Sequence, residues 1–290
     1  MYFEIRAAGD GIVPQAKRAI VTIALGATYL SRWRAVVQPR FAAYAANRGY
    51  DAILIAAHLD RSWRALKRSP AWQKCLILSQ PWSAGYERIG WIDADCVPRP
   101  DAPDLFDDVP GDRIGATFVH GQLDDRQIAR QIANVMSIEI APADAHGAHA
   151  ALQAEVYRTD GFDDPPHRMM HTGVLALSPA VHRGLLEAAY AHESQNRWYE
   201  QTALSYLTLK AGAMAPINPR FNWLLDAALP LDRPGADPAR VAASLADGDA
   251  DFAAYLAESW RRSHFLHLGE TVWRALGDAQ SAALDGILAR

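Results

Sequence analysis

Apolar residues in this chain fall into short continuous runs, separated by stretches with helical spacing. Arg18 to Gly26 (RAIVTIALG) is a near-continuous apolar run closed by glycine, the pattern of a strand buried on both faces. From Leu30 to Asn47 the residues Trp33, Val36, Val37, Phe41 and Tyr44 recur at helical spacing; Pro39 should kink or split that helix and Gly49 should end it. Asp51 to Ala57 (DAILIAA) reads as a second buried strand. A short basic helix (RSWRALKR) follows, then a helix from Pro70 with Trp72, Cys75, Leu76 and Leu78 inward, then a third strand from Tyr86 to Asp93 (YERIGWID). Strand–helix–strand–helix–strand predicts an α/β fold, with a central, mostly parallel sheet flanked by helices. Ligands of such sheets gather beyond the carboxyl ends of the strands.

The rest of the chain is less regular. Residues 1–17 read as an irregular lead-in, and an acidic loop from Asp101 to Asp112 leads to a fourth strand, Arg113 to His120. Gln122 to Pro166 is polar and shows no clear period; His146 and His149 are placed in an Ala/Gly loop there, without a ligand role. Arg168 to Ser178 (RMMHTGVLALS) is an apolar strand, and Ser178-Pro179 opens a helix. A second helix is expected from about Arg197 to Lys210, and Ala-rich helix from Pro238 to Trp260. A short strand, Ser263 to Leu268, precedes a last amphipathic helix bearing Val272, Trp273, Leu276, Ala283 and Leu284. With no internal repeat and no Gly/Ser/Pro-rich linker, the expectation is one domain over 1–290.

Composition narrows the function classes. With 50% apolar and 21% charged residues in 290, a disordered or fibrous chain is excluded. The balance of 29 basic against 33 acidic residues argues against a nucleic-acid partner, which calls for a strongly cationic surface. Cys75 and Cys96 cannot build a disulfide framework, which points to a reducing compartment. The N-terminus lacks the apolar core of a signal peptide, and the longest apolar stretch is too short to span a bilayer. The expected location is therefore cytoplasmic, and peripheral membrane contact is compatible with the sequence.

The strongest chemical signal is Trp91-Ile92-Asp93-Ala94-Asp95-Cys96. Its weight comes from its address, because 24 Asp produce such triplets by chance and two more overlap at Asp247, Asp249 and Asp251 in a polar, solvated segment. The first triplet ends the third apolar strand. Two carboxylates two residues apart at a strand end can converge on one hard divalent cation, which would neutralise a bound diphosphate.

Residues 18 to 100 then show a resemblance, carried by IVTIALGATYLSRWRAVVQPRFAAYAANRGYDAILI, PAWQKCLILSQPW and YERIGWIDADCVP. They resemble the nucleotide-sugar half of GT-A fold glycosyltransferases. The likeness is strongest to the Golgi galactosyl/xylosyltransferase family and more distant to the glycogenin and lipopolysaccharide galactosyltransferase family. The resemblance implies a donor half over 18–120 and an acceptor half over 121–290. It implies that Asp93, Ala94 and Asp95 hold metal and diphosphate, that Thr22, Ala24 and Tyr29 hold the nucleoside, with Tyr29 stacking on a base, and that Lys74 reaches a phosphate. His171-Thr172-Gly173 matches a turn beside the transferred sugar, although the family more often begins it with Asn, and Glu200-Gln201 matches an Asp-Gln pair near the reacting sugar. The resemblance further implies that His267 completes the metal's shell, with His264 as the alternative. The implied cofactors are Mn²⁺ (or Mg²⁺) and a nucleotide-diphosphate-sugar, UDP-sugar favoured and GDP-sugar possible; the implied partner is a saccharide or other hydroxyl acceptor.

Both families retain anomeric configuration. Retention through a covalent intermediate needs a carboxylate at the anomeric carbon, for which Glu200, Asp163 and Asp164 are the candidates; a front-face route needs none. Two rival readings stand beside this one. A haloacid-dehalogenase-type phosphohydrolase also carries Asp-x-Asp at a strand end, but on its first strand. A non-catalytic nucleotide-sugar-binding module would keep the fold alone.

Overall fold

The computed structural model describes residues 1–7, 10–193 and 198–289, and builds ten strands among them. They are β1 (Tyr2–Ile5), β2 (Arg18–Ile23), β3 (Asp51–Ile55), β4 (Arg88–Ile92), β5 (Cys96–Pro98), β6 (Ile114–Phe118), β7 (Met170–Leu177), β8 (Met214–Pro216), β9 (Trp223–Leu224) and β10 (Phe265–His267). The main sheet runs β1-β3-β2-β4-β7-β6-β8, and a small second sheet runs β5-β10-β9. The first four strands of the main sheet are mutually parallel, β7 runs against both of its neighbours, and β8 is parallel to β6. The expectation of a mostly parallel sheet holds, with β7 the one reversed strand.

Among the described residues, twelve α-helices surround the sheets: α1 (Ala27–Val36), α2 (Gln38–Arg48), α3 (Trp63–Lys67), α4 (Asp125–Met136), α5 (Ala145–Thr159), α6 (Pro179–Ala191), α7 (Glu200–Lys210), α8 (Leu225–Asp232), α9 (Pro238–Ala243), α10 (Ala250–Arg262), α11 (Glu270–Ala275) and α12 (Asp278–Leu288). Because β side chains alternate, successive residues of β2 serve opposite layers. Ile20 joins Leu54, Ile92 and Val174 in a core with α1, α2, α10 and α12. Val21 joins Ile53, Trp91 and Leu175 in a core with α6, α7 and the 3₁₀ segment Pro70–Ser79. The sheet is therefore buried on both faces, which is why its strands read as unbroken apolar runs.

Several sequence expectations need correction. The lead-in contains β1, which pairs with β3; four residues are too few to show a period. The helix expected over 30–47 is two helices that meet at Val37, one residue before the turn in which Pro39 sits. The segment from Pro70 is a 3₁₀ helix, where Ile77 is buried and Leu76 only partly so. The polar stretch 122–166 holds α4 and α5, so His146 and His149 lie on a helix and not in a loop. Its start signal was present: Asp124 accepts a hydrogen bond from the Gln127 amide N–H, and Gln127 Oε1 accepts one from the Asp124 N–H. The expected start near Arg197 lies outside the described residues, and the helix runs over Glu200–Lys210. The last helix is broken into α11 and α12 around Gly277.

Candidate active site

Where β4 ends, the chain leaves the extended form and puts both carboxylates of the triplet over the carboxyl edge of the sheet. Asp93 N–H still donates to Gly173 O on β7 (2.8 Å), and Cys96 N–H turns back to Asp93 O (3.0 Å). The next three residues form β5, which pairs antiparallel with β10 so that Cys96 stands opposite His267. Leu268 N–H donates to Asp95 O (2.9 Å), which closes the link. This ladder, made of backbone groups, brings the His267 ring to Asp95, with Nε2 3.2 Å from Oδ1.

The ligand atoms of Asp93, Asp95 and His267 all lie within 4.8 Å of one another. Asn222 Oδ1 stands 2.7 Å from His267 Nδ1 and accepts its proton, which leaves Nε2 to face the two carboxylates. The same amide donates through Nδ2 to His171 Nδ1 (2.7 Å) and to Thr117 Oγ1 (3.2 Å). His171 Nδ1 also accepts from Gly173 N–H at 3.1 Å, so its remaining proton sits on Nε2. Two carboxylates and an imidazole whose far nitrogen is held by an amide fit a divalent cation such as Mn²⁺, a donor set with its supporting shell in place. The alternative ligand, His264, packs on the Phe221 ring and is not in the cluster.

Electrostatics bind the cluster together. Burial alone would lower the His267 imidazolium, but Asp95 and Asp93 more than offset it and hold it above its ordinary value. Burial raises Asp95, and the His267 charge outweighs this and holds the carboxyl below its usual range. Asp93 is raised, by burial first, with Lys74 opposing and Asp95 reinforcing. His171 is driven well below its ordinary value by burial, and by the His267 and Lys74 charges beside it, so it is a neutral donor.

A second cluster adjoins the first. Lys74, only 3% exposed, sits 2.9 Å from Asp93 Oδ1 and 2.8 Å from Glu200 Oε1, and donates to Thr172 O at 3.2 Å. Burial would lower its ammonium; the two carboxylates reverse this and hold it charged. Trp91 Nε1–H donates to Asp93 Oδ1 (2.7 Å), and Thr172 Oγ1–H to Glu200 Oε1 (3.0 Å). Glu200 occupies the first turn of α7, where the helix dipole favours its charge. Gln201 Oε1 accepts from Thr172 N–H (3.2 Å). An irregularity in the β6–β7 ladder makes this possible: Ala116 pairs with Leu175 but Thr117 with His171, so Thr172, Gly173 and Val174 stand out of register with β6.

Gly173 is required by its neighbours. A Cβ there would stand 2.7 Å from His267 Cε1 and 3.0 Å from His171 Cε1. Gly173→Ala is accordingly expected to displace both rings, at a cost of about 1–3 kcal/mol in stability. It should also weaken divalent-cation binding roughly 10–100-fold, checked by thermal melting and by calorimetric titration with Mn²⁺.

Both clusters line one cavity of about 870 Å³. Of the residues assigned from sequence, Tyr29, Lys74, Asp93, Ala94, Asp95, His171, Thr172, Glu200, Gln201 and His267 line it. Thr22 and Ala24 do not; they are fully buried, Ala24 in the core that contains Ile20, and the cavity is lined instead by Ile23 and Leu25. The assignment is one residue out of step on a strand where each step changes face. Asp163 and Asp164 also lie off the cavity, Asp164 being exposed and paired with Lys210 (2.5 Å). Among nearby aromatic side chains, Trp198 and Tyr199 line the cavity, whereas Phe221 is buried in the core and Trp223 lies outside the lining.

Sequence reasoning missed Asn222, since a single amide between two aromatics has no periodic signature. It missed Asp226 too. That carboxyl, on α8, is pushed up to about 6 by burial and by Asp95, with His267 opposing. It rests against Gly269, whose φ of +81° and lack of a side chain admit it: a Cβ there would lie 2.2 Å from its Oδ2.

No protein-family model matches the sequence, and none of the curated proteins does. Among solved structures, the chain is similar to a glycosyltransferase involved in the glycosylation of the major capsid of PBCV-1. That match has 12% identity, spans 94% of this chain and 100% of that one, and has a TM-score of 0.48. It is also similar to the WbbM bifunctional glycosyltransferase, with 12% identity over 90% of this chain and a TM-score of 0.52. The match spans about half of WbbM, 47% of that chain. At this identity the likeness is one of architecture, a mixed α/β fold shared with a glycosyltransferase. No helix among the described residues is long and apolar enough to cross a membrane.

Proposed function

We propose that this protein is a metal-dependent glycosyltransferase, moving a sugar from a nucleoside-diphosphate-sugar to an acceptor hydroxyl. The observation that carries the reading is the convergence of Asp93, Asp95 and His267 at the mouth of the central strand, inside the cavity and beside a buried lysine. A divalent cation held by these three residues would supply the positive charge that a leaving diphosphate requires. The remaining roles fall to side chains of the chain itself. Tyr29 and Trp273, with ring centroids 5.4 Å apart, offer an aromatic wall for a base at one rim of the cavity. Thr172 and Gln201 orient the turn next to the transferred sugar, and His171 presents a neutral Nε2–H to it.

Glu200 is proposed as a positioning residue and not as a nucleophile. Its Oε1 already takes the Lys74 ammonium and the Thr172 hydroxyl. With Asp163 and Asp164 off the cavity as well, this supports retention by a front-face route, in which the leaving phosphate takes the acceptor proton. The donor half of 18–120 is then completed by His171, Glu200 and His267 from the second half, which favours one functional unit over 1–290. The galactosyl/xylosyltransferase resemblance supports UDP-sugar as donor, with Mn²⁺ as the cation. A phosphohydrolase reading gains no support from a glycosyltransferase-like architecture.

A panel of UDP- and GDP-sugars, each with and without Mn²⁺, tests the proposal by thermal shift followed by product analysis. At least one donor should raise the melting temperature only when metal is present, and should yield a nucleoside diphosphate with an acceptor. Release of inorganic phosphate from simple phosphoesters, with no donor-dependent shift, would overturn it.

A further inference from the structure

The acidic and cationic groups occupy only part of the cavity. Another part is walled by α4 and α5, the segment whose polarity hides it in the sequence, and carries four neutral polar side chains: His120, Gln131, His149 and Gln153. His120 follows β6 with a φ of 56°, a conformation that side chains other than glycine rarely adopt. Its Nε2 stands 2.9 Å from the Gln131 side-chain nitrogen, and its ring centroid 5.6 Å from that of His149. His120 Nδ1 and Gln131 Oε1 are buried without a hydrogen-bond partner. Whichever way the Gln131 amide is turned, one donor and one acceptor remain unpaired, and the structure bears that penalty at a cavity wall. Gln153 is fixed, since its Oε1 accepts from Met169 N–H at 2.6 Å, which turns its amide N–H₂ to the His149 ring at 3.0 Å.

An unpaired donor and an unpaired acceptor on two neighbouring side chains are what the hydroxyl groups of a ligand satisfy, because a hydroxyl both gives and takes a hydrogen bond. Ile132 and Leu152 supply apolar wall between the polar groups, as the C–H faces of a sugar ring require. No charged residue of α4, α5 or the adjoining ends of β6 and β7 lines this part of the cavity; the charged lining residues all come from other segments. Burial drives His120 and His149 down to about 4, so both are neutral at physiological pH. Arg168 is within electrostatic reach of His149 but does not line the cavity, so among the described residues a phosphate or carboxylate seated here would be desolvated without a counter-charge in contact with it.

We infer that this arm of the cavity is the acceptor subsite, and that its ligand is an uncharged saccharide whose hydroxyls pair with His120, Gln131, His149 and Gln153. The inference rests on the transferase reading for the word acceptor. His171 marks the junction with the donor site: its ring faces that of His267 at 5.4 Å and lies within the electrostatic reach of His120.

The test uses the full chain and an array of neutral di- and trisaccharides, with uronic-acid oligosaccharides and serine-containing peptides as the other hydroxyl classes. A neutral saccharide should bind the wild-type protein and shift the imidazole NMR signals of His120 and His149, while UDP with Mg²⁺ leaves those two signals in place. Gln131→Leu and His149→Phe should each weaken saccharide binding roughly three- to tenfold, the loss of one or two hydrogen bonds, with UDP–Mg²⁺ binding unchanged. The inference is overturned if no neutral saccharide binds, if a charged glycan or peptide takes the site instead, or if binding leaves both imidazoles unmoved. The imidazole shifts are read on the wild type, so a misfolded variant does not spare the inference. Failure of UDP–Mg²⁺ to bind at all would count against the donor site alone, because saccharide and imidazole are measured without it.

Discussion

Lys74→Met is expected to destabilise the protein by about 3–5 kcal/mol, since it strands the buried Glu200 and the partly buried Asp93, whose shared counter-ion has gone. Lys74 holds Asp93 and Glu200 at 2.9 and 2.8 Å, and the carboxylates have no second cation at that distance among the described residues. The melting temperature should fall by roughly 5–10 °C for a chain of this length. The deficit should also depend on pH. In the variant, the folded protein holds a proton on a buried carboxyl that the unfolded chain has released. The folded state then binds more protons than the unfolded one, so stability decreases as pH rises above the ordinary carboxylate range. Melting at pH 5 should therefore show a smaller loss than melting at pH 8. Adding Glu200→Gln to Lys74→Met should recover part of it, because the two sites share one network. A deficit below 1 kcal/mol, or one that ignores pH, would mean that the ammonium is not what neutralises this cluster.

Asp95→Ala is the variant expected to cost most in activity. It removes a proposed metal ligand and also the carboxylate, 3.2 Å from Nε2, that does most to hold His267 above its ordinary value. Mn²⁺-dependent stabilisation by a nucleoside diphosphate should disappear, and sugar transfer should fall by at least about 100–1000-fold, the scale for losing one electrostatic support of a transition state. The fold should survive, since the side chain sits on a short turn and the backbone ladder around it is intact. Asp251→Ala provides the control. It lies in one of the other Asp-x-Asp triplets, is exposed near the start of α10, and should change neither property. Equal nucleotide binding by wild type and Asp95→Ala would remove the basis for the proposed chemistry.

The two variants differ in what the sequence shows of them. Asp95 is legible because it terminates an apolar run, and an apolar run followed by acids has few other readings. Lys74, one of four lysines in the chain, is legible as a candidate only through the resemblance; its burial between two carboxylates follows from the packing of the 3₁₀ segment that brings its ammonium to Asp93, Glu200 and Thr172 O. Thr22 and Ala24 show the opposite failure. The strand was found, but strand register decides which residues face the cavity, and a continuous apolar run carries no alternation from which to read it. The arm formed by α4 and α5 was hidden because its few inward apolar residues, Ile128, Ala129, Ile132 and Leu152, are interleaved with the polar Gln131, His149 and Gln153 that share the cavity wall.

The sequence alone determined the local elements: the buried strands, the helices between them, and the acidic pair at the end of β4. Backbone dihedrals and side-chain periodicity act over a few residues, and those are written into the order of residue types. Only the tertiary structure decided that β7 runs in reverse, that Cys96 pairs with His267, and that Asn222 links His267 to His171. Those choices are made by backbone ladders and single amide contacts between distant segments. The hydrogen bonds of a ladder are the same whatever side chains flank them, so they leave no periodic trace in the chain.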